Sequence, residues 1–145
     1  MIAITSSNDD DRSPDVAIDN NGFWVTWERY SSGSLHYAQR MEYPTGSGSP
    51  AVLMGPSGTV ANTNPVRIAS RAATGDATFV YAFPKVHWCA MSASGTSDCG
   101  SPSDMNFVTT GMQDAPAITM LANGRRLGVW QLFTSGHARI RMRPF

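Results

Sequence analysis

Lysine is almost missing from this chain: Lys85 is the only one, and the other basic side chains are arginines. Charged residues make up only 15% of the sequence, and the formal net charge is +0. No basic block is present to neutralise phosphates, so nucleic acid is not an expected partner. Long apolar runs are missing too, and no segment has the length of a membrane-spanning helix. The opening Met1-Ile2-Ala3-Ile4-Thr5 lacks the charged start and apolar length of a secretory leader. Any leader is therefore expected outside this chain. Apolar residues spaced for a helix face are not sustained anywhere, which argues against a helical fold.

Cysteine is scarce, with only Cys89 and Cys99. Two cysteines cannot close a structural zinc site. They are expected to form a disulfide, because the stretch between them is rich in Ser and Gly and can turn back on itself. Two free thiols are the alternative. Glutamate is limited to Glu28 and Glu42, neither with a recognisable partner. Hydrolysis of glycosides generally needs two carboxylates at a set separation, so catalysis is not the favoured expectation.

Glycine, proline and small polar residues fill the gap, in an order that repeats. Pro14, Pro65 and Pro116 stand 51 residues apart (65 − 14 and 116 − 65). Each is followed by a short apolar segment and then a turn pair: Asn21-Gly22, Thr74-Gly75 and Asn123-Gly124. Asn-Gly between apolar runs signals a hairpin in which both turn residues take positive φ. Strands ending in an aromatic follow, closing on Trp27, Tyr81 and Trp130. Third strands run from Leu35 to Arg40, Val86 to Met91 and Ala138 to Arg143, which aligns Tyr37 with Trp88 and His36 with His87. Fourth strands are expected at 51–54 and 106–109, and the third unit has none.

The expected fold is all-β: a β-propeller of three tandem four-stranded blades with a period of about 51 residues. Residues 13–60 form the first blade, 61–114 the second, and 115–145 the third, which lacks its fourth strand. Residues 1–7 would supply that strand and close the ring, all within one domain spanning 1–145. Three blades are fewer than the usual four to eight. The chain is therefore expected to be a half-propeller completed by a second copy in a homodimer of six blades, or a part of a larger propeller.

The unit of proline, apolar strand, Asn-Gly turn, aromatic-ended strand and apolar-His-aromatic strand resembles the sialidase-like or BNR-type repeats of secreted bacterial β-propellers. Thr96-Ser97-Asp98-Cys99-Gly100 resembles that family's Asp box, departing from it at Pro102 and Ser103. The resemblance implies an extracellular or cell-surface protein, and in its enzyme members an arginine triad with a Tyr-Glu pair.

Aromatics that recur in each unit, Trp27, Tyr81 and Trp130 with Tyr37 and Trp88, are expected to pack the core. Those that do not recur are better ligand contacts. Trp24, Tyr30, Tyr43, Phe83 and Phe133 are expected at strand ends or in loops, with Arg40 and Arg141 beside them to hydrogen-bond a sugar. The expected function is thus a non-catalytic module binding a glycan or protein ligand. A structural or adhesive assembly module and a sialidase-like hydrolase fragment are the alternatives. No cofactor is expected, and His36 and His87 are read as buried structural histidines. Asp9 and Asp11 could offer oxygens to calcium, but a solvated acidic turn is the expected reading of that run.

Overall fold

The computed structural model describes residues 5, 10–30, 34–42, 52–54, 66–82, 85–94, 99, 102–105 and 110–145. They form an all-β structure of three antiparallel sheets, with no helix among the described residues. The first sheet holds β1 (Asp10–Ile18), β2 (Gly22–Tyr30), β3 (Ser34–Glu42) and β4 (Val52–Met54). The second holds β5 (Arg67–Ser70), β6 (Ala77–Ala82), β7 (Val86–Met91) and β8 (Ser103–Asp104). The third holds β9 (Met112–Met120), β10 (Arg126–Thr134) and β11 (His137–Pro144). Each sheet is a meander in which chain neighbours pair. Of the expected strand at 1–7 only residue 5 is described, the expected strand at 106–109 lies outside the described residues, and β8 is the strand that pairs with β7.

The sheets pack face against face in chain order. All six residues of β6 are buried, because the second sheet lies between the other two and covers both of its faces. Side chains alternate across a strand, so Phe79 and Tyr81 meet the first sheet while Val80 and Ala82 meet the third. Trp24 reaches from β2 to Phe79 with ring centroids 5.7 Å apart. Trp130 of β10 packs with Val80, Val86 and Met105 on the other side. The first strands also meet directly. Asn20 N donates to Ala72 O at 3.0 Å, Ser70 Oγ to Ile18 O at 2.6 Å, and Arg71 Nε to Ala122 O at 3.0 Å.

Several details differ from the expected pattern. Pro14 and Pro116 do not begin strands; they sit inside β1 and β9, where the register shifts by a bulge. A proline has no N–H to give to the ladder, and a bulge tolerates that loss. The residue before each, Ser13 at φ 52 and Ala115 at φ 47, takes the left-handed conformation. The Asn21-Gly22 pair does not use positive φ at all. Gly22 already pairs with Glu42 in the sheet, and a Cβ there would strike the Met41 carbonyl. Close approach of β3 explains this glycine, whereas Gly75 and Gly124 do take positive φ.

The alignment of Tyr37 with Trp88 is also corrected. Tyr37 pairs with Trp27 and stacks on it at 5.7 Å, on the face of the first sheet turned away from the second. Trp88 pairs with Val80, on the face of the second sheet turned toward the third. The residue that pairs with Tyr81, as Tyr37 does with Trp27, is His87. An offset of one residue reverses every face.

Cys89 and Cys99 form a disulfide with Cα atoms 4.9 Å apart. No helix among the described residues is long and apolar enough to cross a membrane.

Candidate functional site

A hollow of about 400 Å³ opens beside the contact between the second and third sheets. Trp88, Ser103, Asp104, Met105, Arg143 and Phe145 line it. Trp88 reaches it because β7 turns alternate residues toward the third sheet. Ser103 and Asp104 reach it because the short β8 pairs with Trp88 and His87. Phe145 follows the end of β11 and is held by two backbone hydrogen bonds to Arg126, at 2.9 and 3.0 Å. Its ring lies 4.9 Å from that of Trp88, tilted by 47°. Gly128 leaves the space: a Cβ there would collide with the Met105 thioether and sit 3.3 Å from the Phe145 ring.

Charge surrounds these rings. Arg143 Nη1 donates to Met105 O at 2.8 Å and ties the third sheet to the chain after β8. The Arg126 guanidinium lies 5.3 Å from the centre of the Trp88 ring and 5.9 Å from that of Phe145, within cation–π range. Lys85 Nζ is 2.9 Å from Asp104 Oδ2, and His87 Nδ1 is 3.0 Å from Asp104 Oδ1. The hydrogen bond from Lys85, helped by the charges of His87 and Lys85, holds the Asp104 carboxyl below its ordinary range. Asp104 is therefore an anion and an acceptor at neutral pH. The site offers two aromatic rings, a hydroxyl and two guanidiniums, while the Asp104 carboxylate is held by His87 and Lys85. That set can stack a flat apolar ring face and hydrogen-bond its polar edge. It does not make a serine relay, because His87 pairs with Tyr81 on the face opposite Trp88 and Ser103.

The residues expected to contact ligand are scattered. Trp24 is not in a loop; it is buried inside β2, and its Nε1 donates to Gly75 O at 2.7 Å. Arg40 is buried as well, with Nη2 3.1 Å from Asp19 Oδ1 and Nη1 3.5 Å from Glu42 Oε1. Tyr30 is exposed at the end of β2, under the Arg12 guanidinium at 4.6 Å. Phe133 is exposed on β10, and Arg141 is exposed on β11. Tyr43 and Phe83 lie outside the described residues. None of the described ones lines the hollow; Trp24 and Arg40 are cross-strand neighbours on the buried face of the first sheet, beside Gly75, and the others lie apart.

Trp27, Tyr81 and Trp130 are buried, as expected of repeated aromatics. Trp88 is only half-buried, and it is the member of that group that lines the hollow. Its partners Phe145, Arg143 and Ser103 carried no signal in the repeat pattern. Asp9 lies outside the described residues, and Asp11 has its carboxylate engaged by Arg29 at 2.8 and 3.0 Å. Glu28 is 1% exposed and Glu42 pairs with Arg40; neither faces the hollow.

No protein-family model matches the chain, and no curated protein matches it.

Proposed function

We propose that the three sheets are consecutive blades of a β-propeller, and that the chain is a carbohydrate-binding module whose ligand sits in the hollow lined by the touching rings of Trp88 and Phe145. The carrying observation is the hollow itself, in which two aromatic rings stand beside Ser103, Asp104 and Arg143. Sugar rings need an apolar stacking face with donors and acceptors around its edge, and this site supplies both. The Cys89–Cys99 disulfide supports a secreted or cell-surface setting, since disulfides persist in oxidising compartments.

The test is a glycan-array screen with the wild-type chain and Trp88→Ala, each checked for unchanged folding by circular dichroism. Trp88→Ala is expected to weaken the best glycan at least tenfold, in keeping with the loss of a stacking aromatic worth about 1.5 kcal/mol or more. Absence of binding by the wild-type chain to any glycan, or equal binding by both chains, counts against the proposal.

A further inference from the structure

The two contacts between neighbouring sheets are made in the same sense. Each time, the later sheet presents the face that carries the repeated aromatic of its second strand: Tyr81 toward the first sheet, Trp130 toward the second. Each time, the earlier sheet presents its opposite face, through Trp24 in the first contact and Val80 in the second. The contact is therefore head to tail, and among the described residues no sheet packs on one face of each kind. On the first sheet it is the Trp27 face, where Val16 and Ile18 pair with Val25 and Phe23. Ile18 is 74% exposed there. On the third sheet it is the face of Val129, which pairs with Met142. Ile140 and Met142 are 73% and 72% exposed there, and Phe133 and Met112 are exposed beside them. Contiguous apolar surface of this kind on a folded protein marks an interaction site.

We infer that these two open faces are the two halves of the contact already made twice within the chain, and that a second copy of this chain completes it. The third sheet of one copy covers the first sheet of the other, and reciprocally. A head-to-tail interface closes into a ring when its rotation permits. Two copies then give six sheets, within the usual range for propellers. Closure into a ring rests on the propeller reading; the pairing of the two faces rests on their side chains alone and is independent of what the hollow binds.

The experiment is light scattering on the 145-residue chain and on two variants, Ile18→Asp and Ile140→Asp, with circular dichroism to confirm folding. The wild-type chain is expected at twice its monomer mass. Each variant is expected to weaken self-association at least about tenfold, because every interface in a head-to-tail pair contains one copy of each residue. A wild-type monomer overturns the inference. So does a dimer that one variant dissociates and the other leaves intact, since that describes a like-with-like contact. A mass that keeps rising with concentration overturns the two-copy ring. Glycan binding by a monomer would sink this inference and leave the ligand site standing.

Discussion

The indole Nε1 of Trp24 donates a 2.7 Å hydrogen bond to the carbonyl of Gly75, fastening the second strand of the first sheet to the turn between β5 and β6 of the second. The same ring meets Phe79 edge to face. Trp24 thus joins two sheets through one polar and one apolar contact. Trp24→Phe keeps the ring contact and leaves the carbonyl buried without its donor. It is expected to cost about 1–3 kcal/mol, and Trp24→Ala about 3–5 kcal/mol. Urea unfolding monitored by circular dichroism would order the two variants. A Trp24→Phe variant as stable as wild type would mean that the bond contributes nothing.

Arg40 and Asp19 form a pair that is almost wholly removed from solvent. Cutting one partner from a buried pair strands the other charge. Asp19→Ala is therefore expected to destabilise by about 3–5 kcal/mol. Replacing both, as Asp19→Leu with Arg40→Met, is expected to recover part of that loss. Denaturant midpoints for the single and double variants give the coupling directly, and simple additivity would contradict it.

The disulfide between Cys89 and Cys99 closes a loop of sequence separation 10. In the chain-entropy account a loop of that size is worth about 3 kcal/mol. Cys89→Ser with Cys99→Ser, or addition of a thiol reductant, is expected to lower stability by that amount. Melting with and without reductant checks it, and the double serine variant should no longer respond to the reductant.

Burial pushes the Tyr81 phenol up to about 12. Its ordinary value is 10.0, so the folded state resists ionisation that the unfolded chain accepts. The stability this provides is complete below 10 and falls as the pH rises toward 12. Titration of phenolate absorbance should show one tyrosine ionising late. The alkaline loss of stability should be shallower in Tyr81→Phe.

How much of this was readable in advance follows from what each signal measures. The meander order, the all-β class and the disulfide were legible because turn residues, β-rich runs and cysteine spacing are local. Tyr37 and Trp88 were not, because the hairpin closed by Tyr30 and Ser34 superposes on the one closed by Ala82 and Val86 at an even interval, so residues an odd 51 apart fall on opposite faces. The hollow was illegible for a related reason. Trp88 was grouped with core aromatics, and Phe145 and Arg143 acquire a role only once β11 lies against the second sheet. Trp24 was misplaced because the strand after Gly22 begins earlier than the turn pair implied.

The disulfide has a consequence for the hollow proposed as the ligand site. β8 is two residues long and holds its sheet through two residue pairs. Cys99 lies just ahead of it and is stapled to the middle of β7. The wall formed by Ser103 and Asp104 therefore owes its position to an oxidation as much as to pairing. A chain kept reduced would have the aromatic floor of the hollow without a fixed side wall. Under the proposed function, ligand competence would be tied to the redox state of the surroundings.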